Sequence, residues 1–353
     1  MISLLLLVIL ATTAAASAAN STHPVSAIYV FGDSTVDSGN NDYMKATLFR
    51  ADHAPYGENF PNRVATGRFS DGLIATDYLA KYFGLKEFLP AYADPTVTDK
   101  DLLTGISFAS AGSGLDDLTI KITRAIDLTT QISNFQQAIS RLEKNIEVNK
   151  TGWTLENAMF FISVGSNDML INYYDLPTRR LKYTPSGYSD FIISKLQPVI
   201  ESLYKLGARR FAVAGLPPLG CVPMQVSVGS IFHGLKRVCI DKQNSDSQAY
   251  NGKLQHFLTQ LHSQYPNAKF AYGDIYTPLM DMIKNPSKYG FQVTLEGCCG
   301  TGVLEAGTLC NAVAPTCQNA SNHVFFDSVH PTQAAFHVIA NALETDLLTI
   351  VLD

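Results

Sequence analysis

Charge and tryptophan are both scarce in this chain of 353 residues: charged side chains make up 16%, tryptophan occurs once, and the formal net charge is −5. No basic patch with interleaved aromatics is present, so nucleic acid is excluded as an expected partner. No basic amphipathic helix is there to dock on a membrane surface. Beyond the first residues no apolar run is read as an integral membrane span. The cysteines lack paired C-x-x-C knuckles, which argues against zinc. A G-x-S-x-G elbow is absent as well, which argues against the usual α/β-hydrolase nucleophile.

The N-terminal residues read as a secretory signal. Leu4 to Leu10 is a short apolar core, and Ala14 to Ala19 is rich in small residues. Ala16-Ser17-Ala18 and Ser17-Ala18-Ala19 both fit a small-x-small cleavage site. Residues 1–19 are therefore expected to be removed, and residues 20–353 to form one domain. The six cysteines, Cys221, Cys239, Cys298, Cys299, Cys310 and Cys317, all follow the signal. An even number in a secreted chain favours disulfides. Cys221 and Cys239 are isolated from the rest and are expected to pair. Neighbouring Cys298 and Cys299 would be strained if bonded together; they are expected to reach Cys310 and Cys317, in an order left open. Asn20, Asn149 and Asn319 each begin an N-x-S/T sequon.

Short apolar runs alternate with helical patterns, the mark of an α/β domain with a parallel sheet. The strand candidates are Ala27–Phe31, Gly105–Ala109, Ala158–Val164, Arg210–Ala214 and Lys269–Gly273. Ile132, Phe135, Ile139, Leu142 and Ile146 recur at helical spacing, as do Ile192, Leu196, Val199, Leu203 and Leu206 before Gly207. Tyr250, Leu254, Phe257, Leu258 and Leu261 mark another helix that stops before Pro266. A last helix is expected to start at Pro331, a good first-turn residue, with Ala335, Val338, Ile339 and Leu343 facing inward.

In parallel α/β sheets ligands bind at the carboxyl ends of the strands. The first strand delivers Gly32-Asp33-Ser34, the second Ser110-Ala111-Gly112-Ser113-Gly114, and the third Gly165-Ser166-Asn167-Asp168. Right-handed crossovers keep these turns on one edge. Near the other end of the chain stands Asp327-Ser328-Val329-His330-Pro331. Ser34 can serve as a nucleophile, His330 as its base and Asp327 as the orienter. The Ser34 and Gly112 backbone amides and the Asn167 side chain can donate to an oxyanion. The Ser34 amide is expected near a helix start, where the dipole favours negative charge. A neutral imidazole is required, so activity is expected to fall as pH drops through the ordinary histidine range.

These blocks, in this order, resemble the GDSL esterase/lipases of plants, within the SGNH hydrolase superfamily. The similarity covers Phe31-Gly32-Asp33-Ser34 with Asp37-Ser38-Gly39-Asn40-Asn41-Asp42, Phe108 to Gly114, Val164 to Asp168, and Asp327 to Pro331. It extends to Gly67-Arg68-Phe69-Ser70-Asp71-Gly72, Leu216-Pro217-Pro218-Leu219-Gly220-Cys221 and Cys298-Cys299-Gly300. The resemblance implies a flavodoxin-like α/β/α sandwich with a central, mostly five-stranded parallel sheet. It implies Ser34, His330 and Asp327 as the catalytic residues, Ser34, Gly112 and Asn167 as the oxyanion hole, and neither a metal nor an organic cofactor.

The expected reaction is therefore hydrolysis of a small-molecule or lipid ester through an acyl-enzyme. The same intermediate could pass to an alcohol, which would make the protein an acyltransferase. A silent secreted binding or defence protein is the alternative outside catalysis. His323, Asp327, His330 and His337 also cluster in sequence, but His330 and His337 are separated by a proline and a helix start, so a metal site is not expected. Phe49, Tyr56, Phe60, Phe69, Leu170 and Tyr173 are candidates either for an acyl groove or for core and lid packing.

Overall fold

The computed structural model describes residues 25–47, 49–231 and 234–351. The signal segment and the sequon at Asn20 lie outside the described residues. Five strands form one parallel sheet: β1 (Ile28–Gly32), β2 (Gly105–Ser107), β3 (Met159–Ser163), β4 (Arg210–Ala214) and β5 (Lys269–Gly273). Their order is β2-β1-β3-β4-β5. This is the flavodoxin-like order, whose crevice opens between β1 and β3, where successive connections leave in opposite directions. β1 and β3 are buried along their whole length, which is why they read as unbroken apolar runs.

The connecting helices are α1 (Ala75–Tyr82), α2 (Asp99–Thr104), α3 (Asp117–Thr123), α4 (Leu128–Asn145), α5 (Val148–Asn157) and α6 (Pro185–Lys205). They continue with α7 (Pro223–Ser230), α8 (Asp241–Gln264), α9 (Tyr276–Lys284), α10 (Pro286–Tyr289) and α11 (Gln333–Val351). One core layer joins the sheet to α4, α5, α6 and α8. The other joins it to α1, α9 and α11. The result is the expected three-layer α/β/α arrangement.

Three details differ from expectation. The last helix begins at Gln333, not Pro331. Pro331 instead bridges to Phe325, and the Thr332 hydroxyl accepts from the Ala335 amide at 3.2 Å, the bond of an N-cap. Second, α11 is by length and composition able to cross a bilayer. Its inward face, including Ala335, Phe336, Ile339, Leu343 and Leu347, is buried on the sheet, so it is a core helix here. Third, β6 (Val293–Gly297) and β7 (His323–Phe325) form a separate parallel pair that the sequence reading does not include. β6 is only partly buried and lacks the apolar run of the central strands.

The cysteines pair as Cys221–Cys239, Cys298–Cys317 and Cys299–Cys310. The first is the expected pair, and the others settle the open order. Cys298 and Cys317 approach His323 in a group that could hold a metal, but the disulfide removes both thiolates as ligands. Asn149 on α5 and Asn319 ahead of β7 are both exposed.

Candidate active site

The end of β1 is fixed before any chemistry is placed on it. Gly32 has φ +138°, and a Cβ there would fall 1.9 Å from the Ser163 carbonyl oxygen, so only glycine fits between β1 and β3. The Gln131 side chain accepts from the Gly32 amide at 2.9 Å and donates to its carbonyl at 3.0 Å. The Asp33 amide donates to Ser163 O at 3.0 Å. Ser34 then emerges in a tight turn closed by the Val36 amide on Asp33 O. No helix starts at Ser34, so the expected dipole contribution to its amide is absent.

His330 reaches Ser34 from the far end of the chain. Its Nε2 lies 2.7 Å from Ser34 Oγ. Its Nδ1 lies 2.8 Å from Asp327 Oδ2 and 3.0 Å from Oδ1. The turn is drawn tight by Asp327 Oδ1, which accepts from the Val329 and His330 amides, each at 2.7 Å. Asp327 is fully buried, and His330 and Ser34 are 5% and 7% exposed. A buried carboxylate needs its lone pairs occupied. Tyr56 fills the remaining place by donating to Asp327 Oδ2 at 2.7 Å, while its oxygen accepts from the Gly307 amide at 2.8 Å. Burial and then the Asp327 charge push the Tyr56 hydroxyl well above the usual phenol range, so it stays a donor. The Phe69 ring packs against the imidazole, centroids 4.7 Å apart.

Two loops are tied to this strand end by the run after Ser34. Asp37 accepts from the Ala111 amide at 3.0 Å. Asn40 donates to Ser107 O and Ala109 O, and Asn41 to Ala111 O. This run therefore holds the loop carrying Gly112 beside β1. Gly112 has φ +87°, and an added Cβ would press on Thr123 and Phe49. Asn167 precedes a π-helical turn, Asp168–Asp175, and donates through Nδ2 to Ser113 O at 2.9 Å. Its amide has a second hydrogen to offer. Asp168 accepts from the Leu115 and Asp116 amides, so the second and third loops are joined from below.

Ser34, Asn167 and His330 line one narrow, largely apolar cleft. Gly112 does not border it; it is joined to the site through Ser113 and Asn167. Asp33 also borders the cleft. Thr35 donates from its amide and its hydroxyl to Asp33 Oδ1, while buried Oδ2 has no partner among the described residues. Burial pushes this carboxyl up to about 6, against the hydrogen bonds of Thr35 and the attraction of His330.

Of the apolar candidates, Leu170 borders the cleft. Tyr56 and Phe69 serve the Asp327–His330 pair, Phe49 stands beside Gly112, Phe60 packs under Arg68, and Tyr173 stacks on Tyr188. His337 lies exposed against Tyr78, away from His330's partners. Sequence reasoning missed Tyr56 as a partner of Asp327. The two are 271 residues apart and no local pattern joins them.

The family model described as GDSL-like Lipase/Acylhydrolase matches residues 28–343. A GDSL esterase/lipase of Arabidopsis thaliana is 49% identical over 328 residues, which cover 92% of this chain and 90% of that relative. A second from the same plant is 47% identical over 330 residues, 93% of this chain and 91% of its own. Every strand of the central sheet and every residue of the site just described falls inside the matched region, and the chain belongs to the GDSL-like lipase/acylhydrolase family.

Proposed function

We propose that the protein is a secreted carboxylic ester hydrolase that works through an acyl-enzyme on Ser34. The observation that carries this reading is the continuous chain Ser34 Oγ, His330 Nε2, His330 Nδ1, Asp327 at the mouth of an apolar cleft. As Ser34 Oγ attacks the ester carbonyl, its proton passes to His330 Nε2. Asp327 stabilises the imidazolium that forms. The Ser34 and Gly112 amides and Asn167 Nδ2 donate to the oxyanion. Collapse breaks the bond to the alkoxide, which leaves as alcohol with the proton from His330. Water then attacks the acyl carbon, gives its proton to the same nitrogen, and the acid departs as Ser34 is reprotonated.

Residues 1–19 act in this proposal as the cleaved signal, and residues 20–353 as a single hydrolase domain. The three disulfides and the exposed sequons at Asn149 and Asn319 support passage through an oxidising compartment. Each step uses side chains and amides of this chain, so activity should survive chelators. The decisive experiment is Ser34→Ala, assayed on a short-chain aryl ester. Turnover should fall by about 10⁴- to 10⁶-fold with an unchanged melting curve, and a serine-directed phosphonate should label the parent protein only. Substantial residual turnover, or equal labelling of both, would sink the proposal.

A further inference from the structure

Helix α5 carries a hydroxyl that the fold does not use. Thr151 and Thr154 both face inward there. The Thr154 hydroxyl donates to Lys150 O at 2.9 Å, but the buried Thr151 Oγ1 has no partner among the described residues. A buried hydroxyl left unbonded is destabilising, and valine would fill the space without that penalty. Packing therefore gives no reason for threonine at this position. The sequon Asn149-Lys150-Thr151 does, because its third residue must carry a hydroxyl.

The outward face of the same helix holds the chain's single tryptophan, Trp153, which is 62% exposed. Tryptophan is on average a highly buried residue. Asn149 and Trp153 are four positions apart on one helix, so their Cβ atoms are neighbours at about 5–6 Å. A helical side chain leans over the turn before its own Cα, which carries the indole back toward Asn149. Gly152, on the same exposed face, leaves the flank clear: a Cβ there would have nothing within 4 Å.

From this arrangement we infer that Asn149 carries an N-linked glycan whose first N-acetylglucosamine lies on the indole of Trp153. One side of the sugar ring is a plate of C–H groups, and the face of an indole is negative. The two are complementary, while the sugar hydroxyls stay in water. In the transfer, Asn149 Nδ2 bonds to the anomeric carbon of a lipid-diphosphate-linked sugar. The bond from that carbon to the diphosphate breaks, and the amide proton leaves with the diphosphate. Thr151 is buried in the folded chain, so the transfer precedes the packing of α5.

The inference rests on the secreted reading and is independent of the chemistry at Ser34. Ser26, just ahead of β1, bonds to Asn157 O at 3.2 Å and to Thr154 O at 2.7 Å. Helix α5 therefore sits at the amino edge of the sheet, opposite the edge that carries Ser34. Ester turnover should be the same with and without the glycan.

A single tryptophan makes the test direct, because its emission reports position 153 alone. Protein secreted from a eukaryotic host is compared in three forms: intact, trimmed to one N-acetylglucosamine, and stripped to the bare side chain. Peptide mass should place a glycan on Asn149. Covering one of the two faces of the ring should roughly halve acrylamide quenching, and the trimmed form should keep that protection. The stripped form and Thr151→Val should lose it with a red-shifted emission, and Thr151→Ser should retain it. Thr151→Val should also melt no lower than Asn149→Gln, which lacks the glycan as well. A lower value would give the hydroxyl a role in the fold and remove the ground for the inference. Equal quenching in all forms, or a glycan on Asn319 with Asn149 bare, overturns the inference and leaves the secreted reading standing. No glycan at either site, with residues 1–19 still attached, overturns both.

Discussion

On one face of the central sheet Tyr29, Phe31, Phe108, Phe160 and Phe211 stand together, with Phe135 of α4 set among them. On the other face the alternate positions of the same strands are Ser107, Ala109, Ala212, Ala214 and Ala271, beside the larger Ile28, Val30 and Phe161. Successive residues in a strand point to opposite faces, so each strand was free to fill one side and leave the other thin. The aromatic face is closed: Phe31 stacks on Phe108 at 5.2 Å, and Phe135 meets Phe160 edge-on at 5.5 Å. The thin face borders, through Phe161 and Ala214, the cleft that Ser34 lines. Aromatic packing and the cleft are thus divided between two sides of a single sheet.

The largest expected effect tests that division directly. Phe135→Ala should cost about 3–5 kcal/mol, because it empties a site walled by Tyr29, Phe31, Phe108 and Phe160. Ile339→Ala, at the cleft, should cost only about 2 kcal/mol, the low end of its class, since its side chain borders the cleft and is not walled by aromatic rings. Denaturant midpoints of the two variants give the comparison. Equal costs would mean that the thin face is packed as tightly as the aromatic one.

One disulfide, Cys221–Cys239, lies beside the cleft. Cys221 sits between Leu219 and Val222, both of which border the cleft. Opening Cys221–Cys239, whose partners are 18 residues apart, should cost about 3 kcal/mol in a chain-entropy account. A Cys221→Ser, Cys239→Ser variant that melts like the parent would show that the mouth does not depend on this link.

Asp33 gives an effect of similar size with opposite sign. Its folded value is raised to about 6 by burial, above the ordinary carboxyl range. The folded state therefore holds the proton more tightly than the unfolded chain. The stabilisation is fully present below about pH 4 and is lost as pH rises through about 6. Asp33→Asn keeps the acceptor for Thr35 and removes the buried charge. At pH 7.5 it should be more stable than the parent by on the order of 2–3 kcal/mol, with the gap closing toward pH 4. A gap that is constant with pH would show that Asp33 does not titrate in this range. His323, whose value burial lowers, changes stability in the opposite direction over part of this window, but equally in both proteins.

Much of this architecture was legible in the amino-acid order because the signals are local. The runs at β1, β3 and β4 are short, apolar and followed by Gly-Asp-Ser, Gly-Ser-Asn-Asp and Gly-Leu-Pro-Pro, so strand ends and loops announce themselves. The Asp327–His330 turn is visible for the same reason. What was not legible depends on distance. The cleft lies where Ser34, Ala214, Phe325 and Leu343 come together from distant parts of the chain, and each residue alone is ordinary. A helix start is the natural expectation at Ser34 because a strand-turn-helix is the common local pattern; Asp37, Asn40 and Asn41 instead bond their side chains to the neighbouring loop, which leaves a turn there.

Tyr56 sharpens the comparison at its smallest scale, because it lies on neither face of the sheet yet governs the group that both ends of the chain share. Its hydroxyl joins Asp327 to the Gly307 amide, linking the Asp327–His330 turn to the disulfide-bearing loop. Tyr56→Phe keeps the ring contacts with Phe69 and Phe326 but removes both hydrogen bonds. Asp327 would retain His330 and two backbone amides, so the carboxylate stays in place while its Oδ2 loses one of two partners. The cost should be about one hydrogen bond to a charged group, roughly 1.5 kcal/mol, or about tenfold in kcat. KM should not change, because Tyr56 does not border the cleft. A rise in KM with kcat intact would place Tyr56 with the substrate, and an unchanged kcat would mean that the backbone turn alone orients Asp327.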